Sequence, residues 1–511
     1  MQAFYQQPLP PASGPVAVGQ TGVHYQIFVR SFADSDGDGI GDLNGVTANL
    51  DYLRDLGVSA LWLMPINPSP TYHKYDVTDY YGIDPEYGTL EDFRRLVAEA
   101  HRRGIAVLLD LVVHHTSVRH PWFVEAQQGP DNPYRHYYHW LHPAEIRARN
   151  LATRDITADS AERNPWHAVP GASPERYYGM FWKGMPDLNF DYPPVREEVF
   201  KIARYWLTEL DVDGFRLDAA RHLYREFDEP KNYQFWEEFG RMIEAAKPGA
   251  YTVGEVWTRP NRVAPYFRGL RANFNMDLRL LVENVVRRED DTDDLIEFLA
   301  YVHNAYAAVN PNFLDALILS NHDQNRIGSL LGGNVSRLKV AANLLLTLPG
   351  LPYLYYGEEI GMLGLKPDEN LREPFLWDIR ARDHQRTRWR RGQYSTSQTV
   401  RPLAGQQTDP DSLFNHYKRL IHVRNNHPVL NDNLGRLVLT GIRQRGTVSF
   451  IRRSADGQRA LIVHNLTRQP MDVVVSPDEA WCSRLMFATV DGATYQDGRL
   501  ALPAYSCAVV E

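Results

Sequence analysis

The stretch DGFRLDAARH, residues 213–222, decides which fold the sequence predicts. Its first seven residues form a candidate strand that carries a carboxylate, Asp218, near its end. Short runs rich in β-branched and aromatic residues recur along the chain, and longer helical patterns lie between them; this alternation predicts a parallel sheet. The candidate strands span residues 24–32, 59–65, 106–113, 213–219, 251–257, 272–277, 316–323 and 351–359. Eight such strands are the number that closes a (β/α)₈ TIM barrel, so the predicted fold class is α/β.

The helical patterns carry their own start and stop signals. In TLEDFRRLVAEAHRRG, residues 89–104, Thr89 can cap the helix, acids occupy the first turn and Gly104 ends it. Similar patterns predict helices at residues 43–56, 194–210, 232–247, 293–308, 335–348 and 412–428.

Composition shifts divide the chain into four parts. Residues 1–20 are rich in Pro, Gly and Ser and predict a disordered leader. The barrel is assigned to residues 21–113 and 186–430. Residues 114–185 are too many for one structureless loop, so they predict an inserted subdomain after the third strand. Residues 431–511 contain short alternating strands and predict an all-β sandwich.

Composition also excludes some partners. The chain has 511 residues, 43% of them hydrophobic, and a net charge of −8 without a long Lys/Arg block, which argues against a nucleic-acid surface. No run of 18 apolar residues occurs, so we expect no membrane span. The start lacks a signal-peptide pattern, so the expected compartment is the cytoplasm, or a secreted or periplasmic location if a signal peptide was removed. Cys482 and Cys507 predict two structural thiols or one disulfide.

Four acids lie at the carboxyl ends of candidate strands, where a TIM barrel places its chemistry: Asp110, Asp218, Glu255 and Asp323. Any one of them could simply cap the following helix. Four on four strands favour a catalytic role, because two carboxylates that face a glycosidic bond can act as nucleophile and proton donor.

The motifs DLVVHHTS, DGFRLDAARH, GEVW and LSNHDQNR resemble, in order, the four signature regions of the α-amylase family of glycoside hydrolases. MPDLN, residues 185–189, resembles the fifth region, and the resemblance spans residues 22–511. It implies that Asp218 is the nucleophile, Glu255 the general acid/base and Asp323 the transition-state stabiliser.

The resemblance also implies substrate contacts. Tyr75 matches the stacking tyrosine of the family, and His115 and His322 match the histidines that hydrogen-bond the sugar on the non-reducing side of the cleaved bond. Arg372, in LREPFLW, resembles a further substrate-contacting arginine, and Arg221-His222 occupies the place of a Lys-His pair that contacts sugars on the leaving-group side.

Arg216 precedes Asp218 by two residues and therefore shares its strand face, so it could keep the nucleophile ionised or form an ordinary ion pair. A raised pKa on Glu255 would let that residue donate a proton near neutral pH.

Departures from the family pattern narrow the prediction. His114 replaces an asparagine that is a calcium ligand in many α-amylases. Tyr72 replaces an aspartate that closes the pocket of α-1,6-glucosidases, which predicts a more open cleft. Ala219 favours α-1,4 bonds over α-1,6 bonds, and MPDLN is typical of a group intermediate between oligo-1,6-glucosidases and neopullulanases.

The run DSDGDGIGD, residues 34–42, imitates an EF-hand loop. Its twelfth position is Gly45 rather than an acid, and a strand precedes it, so the sensor interpretation fails. Similar loops in oligo-1,6-glucosidase-like relatives bind one structural Ca²⁺, and the alternative is a solvated acidic turn. The ligands implied by the resemblance are Asp34, Asp36, Asp38, Ile40 and Asp42.

The sequence thus predicts a retaining hydrolase of α-1,4-linked glucans and maltooligosaccharides, acting as a monomer and capable of transglycosylation. One alternative is an exo-acting α-glucosidase or α-glucosyltransferase. Another is a non-catalytic binding partner, since some family members have lost the acids; here all three are present.

Overall fold

A computed structural model describes residues 18–154, 163–169, 174–224, 228–378 and 385–511. Its strands, in chain order, are β1 (His24–Ile27), β2 (Ala60–Leu63), β3 (Ala106–Leu111), β4 (Trp140–Leu141), β5 (Trp166–Ala168), β6 (Arg176–Tyr178), β7 (Gly214–Leu217), β8 (Tyr251–Gly254), β9 (Ala272–Asn275), β10 (Leu314–Ile318), β11 (Leu351–Tyr355), β12 (Arg436–Val438), β13 (Thr447–Arg453), β14 (Arg459–Asn465), β15 (Met471–Val474), β16 (Leu485–Ala488), β17 (Thr494–Gln496), β18 (Arg499–Leu502) and β19 (Cys507–Val510).

Eight of these strands close into a barrel in the order β1-β11-β10-β9-β8-β7-β3-β2. Strand pairs such as β3 with β7 and β7 with β8 are parallel. The predicted TIM barrel is therefore confirmed. Each barrel strand ends two to five residues before its predicted end, because the polar residues that follow leave the sheet and line the carboxyl-terminal rim.

The helices are α1 (Val29–Phe32), α2 (Leu43–Ala48), α3 (Leu50–Leu56), α4 (Leu90–Arg102), α5 (Pro121–Ala126), α6 (Pro143–Ala148), α7 (Pro193–Thr208), α8 (Glu229–Ala246), α9 (Pro260–Val263), α10 (Leu278–Arg288), α11 (Leu295–Ala307), α12 (Ile327–Leu330), α13 (Val335–Thr347), α14 (Asp368–Leu371), α15 (Leu403–Gln407), α16 (Leu413–Asn426) and α17 (Pro428–Asn431). Short 3₁₀ helices cover Arg135–Tyr137, Ala264–Arg268 and Pro477–Glu479.

Helix α4 shows why the start and stop signals were informative. The Thr89 hydroxyl accepts a hydrogen bond from the Asp92 amide at 3.2 Å, and the Thr89 amide donates to the Asp92 carboxylate at 2.9 Å. Gly104 follows the helix with φ of 72°, a left-handed conformation that favours glycine. The residues 43–56 instead form two helices, which meet at Asn49.

An additional sheet lies in the chain between β3 and β7. Its order is β4-β6-β5, and both pairs are antiparallel. This sheet, with α5 and α6, occupies the stretch predicted as an inserted subdomain, of which residues 155–162 and 170–173 lie outside the described residues.

The C-terminal part is all β, as predicted. It contains a five-stranded sheet, β12-β13-β14-β19-β16, and a three-stranded sheet, β15-β18-β17. Leu461, Val463, Val473 and Leu500 are fully buried in its core. Cys482 and Cys507 are free, buried thiols, and burial raises the pKa of Cys482 to about 11.

By their internal contacts the described residues form two compact units. The first is drawn from Met1–Trp62, Ala98–Ala106 and Phe274–Glu511, and the second from Leu63–Val97 and Val107–Asn273. Residues 1–17 of the predicted leader lie outside the described part, whereas Val18 is buried and Gly19 accepts a hydrogen bond from Asn433. No helix within the described ranges is both long and apolar enough to cross a bilayer.

Candidate active site

Arg216, a buried arginine on β7, contacts three acids of the second compact unit. The register of β3 against β7 pairs Asp110 with Arg216, and Asp218 follows Arg216 on the same strand face. One terminal nitrogen of Arg216, Nη1, donates to Asp110 Oδ1 at 2.8 Å and to Asp218 Oδ1 at 2.5 Å. The other, Nη2, lies 2.7 Å from Glu255 Oε2. The predicted nucleophile and the predicted acid/base are therefore neighbours on one guanidinium group.

Glu255 has a second contact, with the backbone that follows the nucleophile. The Ala219 amide donates to Glu255 Oε2 at 3.1 Å. Ala219 has φ of 46°, a left-handed conformation that costs a non-glycine residue about 1 kcal/mol or more. This turn aims the amide at Glu255 and fixes the carboxylate beside Asp218 with a backbone donor.

The sequence predicted Asp110 only as an acid at a strand end. In the structure it contacts both Arg216 and Tyr75. Its second oxygen accepts a hydrogen bond from the Tyr75 hydroxyl at 2.8 Å. Burial raises the pKa of Asp110 to about 7, against the opposing effect of Arg216. The same set of acids holds the pKa of Arg216 well above its ordinary value, despite complete burial.

Two adjacent histidines follow β3. His115 Nε2 lies 3.1 Å from the Tyr75 carbonyl, and burial lowers the pKa of His115 to about 4, so its imidazole is neutral at neutral pH. His114 Nε2 lies 3.3 Å from Asp187 Oδ2 in a buried ion pair. Burial lowers the pKa of His114, but Asp187 outweighs that effect and raises it overall. Asp187 belongs to the MPDLN motif, so this ion pair joins the motif to the first residue of the inserted subdomain.

Asp323 is the centre of a second group, in the first unit. His322 Nε2 lies 2.8 Å from Asp323 Oδ2, and Arg372 Nη2 donates to Asp323 Oδ1 at 3.0 Å. Gln26, which the sequence did not single out, lies 2.8 Å from His322 Nδ1 and orients that ring. Burial alone would raise the pKa of Asp323, yet His322 and Arg372 hold it well below its usual range. Asp323 is therefore an anion in this environment.

The acidic loop after β1 brings three of its predicted ligands together. Asp34, Asp36 and Asp42 each present an oxygen within 4.8 Å of the others, the one cluster of metal-ligating side chains in the described part of the chain. Asp38 is exposed and outside this cluster. Asp34 also accepts hydrogen bonds from the amides of Gly37 and Gly39, which fold the loop around it. Three converging carboxylates are the hard oxygen donors that Ca²⁺ prefers.

Arg221 and His222, which are predicted to contact sugars on the leaving-group side, have different neighbours in the structure. Arg221 Nη1 donates to the Trp257 carbonyl at 3.3 Å, and its Nε lies 4.0 Å from Glu229. His222 is half-buried, with its ring centroid 6.3 Å from that of His114. Arg221 is thus engaged with protein groups, while His222 lies beside the histidine pair.

Residues 26–433 match the family profile described as alpha amylase, catalytic domain. The chain belongs to the α-amylase family. Residues 446–510 also match the C-terminal immunoglobulin-like domain of D-apionate lactonase, in agreement with the all-β C-terminal part.

Relatives support this assignment along most of the chain. Alpha-amylase 3 of Dictyoglomus thermophilum is 44% identical over 87% of this chain and 85% of the relative. A 4-alpha-glucanotransferase of Thermotoga neapolitana is 34% identical over 88% and 96% of the two chains. The crystal structure of the alpha-amylase from H. orenii superimposes with a TM-score of 0.86 at 41% identity, over 96% of this chain and 99% of that one. This α-amylase family member is a glycoside hydrolase of the α-amylase type.

Proposed function

We propose that this enzyme cleaves α-1,4-glucosidic bonds of starch-like glucans and maltooligosaccharides with retention of configuration. The observation that carries the proposal is the shared guanidinium of Arg216, which contacts both Asp218 and Glu255. A close pair of carboxylates, about 5–5.5 Å apart, is typical of retaining glycosidases, and a wider pair is typical of inverting ones.

In the first step, Asp218 attacks the anomeric carbon while Glu255 protonates the departing glycosidic oxygen, which gives a glycosyl ester and a free sugar hydroxyl. Arg216 donates a hydrogen bond to Asp218 Oδ1 and so orients the carboxylate for this attack. In the second step, Glu255 takes a proton from water, and the resulting hydroxide displaces Asp218 from the sugar. Through its other terminal nitrogen, Arg216 holds Glu255 beside the nucleophile in both steps.

Asp323 serves as the stabiliser of the positively charged transition state in this proposal. Its low pKa keeps it anionic through the reaction. His322 and Arg372 hold its two oxygens from different sides and so fix its orientation. Tyr75, His115 and His322 contact the sugar, as the family resemblance implies.

A sugar hydroxyl that replaces water in the second step gives transglycosylation. The Thermotoga neapolitana relative is named as a 4-alpha-glucanotransferase, which favours some transfer here as well. We assign the enzyme to the intermediate MPDLN group and to internal bond cleavage, because Tyr72 stands where exo-acting relatives have a pocket-closing aspartate. We also propose that it acts as a monomer.

One structural Ca²⁺ belongs to the proposal. Asp34, Asp36 and Asp42 would hold it, and their converging oxygens would otherwise repel one another. The ion would brace the loop after β1 and would take no part in bond cleavage.

Maltoheptaose with proton NMR detection tests mechanism and cleavage pattern together. We expect the first products to be α-anomers of mixed length. A β-anomer as first product would refute retention, and release of one glucose at a time would refute internal cleavage.

Asp218→Asn tests the nucleophile. The amide cannot form the glycosyl ester, so we expect turnover to fall by about 10³-fold or more with an unchanged circular dichroism spectrum. Asp211→Asn, at an exposed position ahead of the same strand, is the matched control and should retain activity. Substantial activity in Asp218→Asn would refute the assignment.

A further inference from the structure

Lys74, the residue before the predicted stacking tyrosine, combines a strained backbone with a buried charge. Its φ is 64°, a left-handed conformation that favours glycine and strains other residues. Only 3% of its side chain is exposed. Burial of an ammonium group is unfavourable unless protein partners replace its hydration. Strained residues cluster at functional sites, which raises the question of what this lysine does for its neighbours.

Two carboxylates hold the buried ammonium group. Lys74 Nζ lies 2.8 Å from Asp84 Oδ2 and 2.6 Å from Glu86 Oε2. It also donates to the Ser69 carbonyl at 3.4 Å and lies 5.5 Å from the ring centroid of Tyr87. Two anions and an aromatic ring from the chain ahead of α4 thus surround one cation from the loop after β2.

The partner Asp84 is itself fixed by backbone groups. Its carboxylate accepts hydrogen bonds from the amides of Ser69 at 3.1 Å and Glu86 at 3.0 Å. Its own amide donates to the Ile66 carbonyl at 2.8 Å. Asp84 is buried, so these bonds are shielded from water. Lys74 is therefore tied to a carboxylate whose position three backbone hydrogen bonds determine.

The residue after Tyr75 is also a buried charge with fixed partners. The Asp76 carboxylate accepts hydrogen bonds from the Ser69 hydroxyl at 2.7 Å and from the Thr71 hydroxyl. The Tyr75 amide donates to His73 Nδ1 at 3.1 Å. The backbone is thus held on both sides of Tyr75 by side chains that point away from the reaction centre into this loop.

The placement of Tyr75 matters to the proposed reaction centre. Its hydroxyl donates to Asp110 at 2.8 Å, and its carbonyl oxygen lies 3.1 Å from His115 Nε2. Its ring centroid lies 5.8 Å from the guanidinium carbon of Arg216, which in turn contacts Asp218. A misplacement of about 1 Å at such a group can lower a rate about a hundredfold.

We propose that Lys74 is a positioning residue, which sets the orientation of Tyr75 against the sugar ring next to the cleaved bond. The ion pairs with Asp84 and Glu86 hold the left-handed turn, and this turn directs the next side chain toward Asp110. Lys74 itself contacts neither the sugar nor the reacting acids. This inference rests on the proposed α-glucan hydrolase function.

Lys74→Met removes the ammonium group and keeps an unbranched side chain. We expect kcat for maltoheptaose to fall about tenfold or more while KM stays within about twofold, because Tyr75 acts at the reacting sugar and the other sugars supply most of the binding. Lys247→Met is the matched control. Lys247 lies between the carboxylates of Asp211 and Asp213 in the same compact unit, at the C-terminal end of α8, and its variant should keep kcat within about twofold.

A double-mutant cycle separates positioning from a general loss of stability. If Lys74 acts through Tyr75, Lys74→Met should change kcat by less than about twofold in a Tyr75→Ala background. An equal factor in both backgrounds, a loss confined to KM, or an unchanged kcat would overturn the proposal. If circular dichroism shows that Lys74→Met does not fold, Glu86→Gln takes its place in the same cycle, since Glu86 is the more exposed of the two acid partners.

A wild-type enzyme that does not hydrolyse maltoheptaose would refute the proposed function, and the position of Tyr75 is then tested directly. Crystal structures of the wild type and of the same lysine or glutamate variant provide this test. We expect the Tyr75 hydroxyl to lose its hydrogen bond to Asp110 in the variant. A hydroxyl that stays within hydrogen-bond distance of Asp110 would overturn the positioning role.

Discussion

At the scale of single residues, the site depends on how buried charges are balanced. Arg216 faces Asp110, Asp218 and Glu255, one cation against three acids. Burial raises the pKa of Asp110 to about 7, while the Arg216 guanidinium opposes that shift. A protonated Asp110 leaves more of the guanidinium charge for Asp218 and Glu255.

His114 makes stability depend on pH. Its folded-state pKa is raised, so the ion pair with Asp187 is fully present below the unfolded value of 6.5 and is lost as the pH rises through the folded value. We expect His114→Gln to lower the free energy of unfolding by about 3–5 kcal/mol at pH 6 and by less at pH 9. Thermal denaturation across this pH range measures the difference.

The control for this prediction is His120→Gln. Burial lowers the pKa of His120 to about 3, so this histidine stays neutral in the folded protein but takes up a proton in the unfolded protein below the ordinary value of 6.5; its variant should therefore lose less stability at pH 6 than at pH 9, the opposite of His114→Gln. Other groups face His114, namely the carboxylate of Asp218 and the rings of His115, His222 and Phe181. A pH-independent effect of His114→Gln would show that folding does not raise the pKa of His114.

At the scale of elements, the acidic loop should respond to calcium. At the proposed calcium site, removal of the ion would leave Asp34, Asp36 and Asp42 in mutual repulsion, so we expect chelation to lower the melting temperature by several degrees while activity at low temperature changes little. Asp34→Asn should lower the melting temperature and abolish the effect of chelation. Asp38→Asn, in the same loop but outside the cluster, should behave like wild type. An unchanged melting curve after chelation would contradict the calcium site.

Sequence patterns predicted the elements with strong local signals and missed those decided by tertiary contacts. Helix α4 was predicted closely because Thr89 and Gly104 mark its ends. Helix α10 was not predicted, since its run VENVV is rich in β-branched residues and its helical form depends on packing. Motif spacing identified Asp218, but the contacts of Gln26 with His322 join residues 296 positions apart. No local pattern carries such information.

At the scale of the whole molecule, a buried arginine joins the C-terminal domain to α13, the helix that precedes the last barrel strand. Arg452 on β13 donates to the carbonyls of Thr347 and Leu348 at the end of α13 and to the carbonyl of Asp432. Helix C-termini favour such a cation, because their last carbonyls lack partners within the helix. The C-terminal sheets therefore complete the hydrogen bonding of a barrel element.

Arg452→Met should consequently destabilise more than its own domain. The methionine fills the space but takes away the donor of the Thr347 carbonyl and one of two donors of the Leu348 carbonyl, so we expect the free energy of unfolding to fall by about 1–3 kcal/mol. Arg453→Met, at the next and exposed position of β13, should have little effect.

Differential scanning calorimetry shows whether the barrel and the C-terminal sheets of the Arg452→Met variant unfold in one transition or in two. A single transition shifted to lower temperature would mean that barrel and C-terminal sheets still unfold together, whereas a new early transition would mean that Arg452 was needed to couple them. A melting profile equal to that of Arg453→Met would contradict the assigned role, because the buried Thr347 carbonyl cannot lose its donor without a cost in stability.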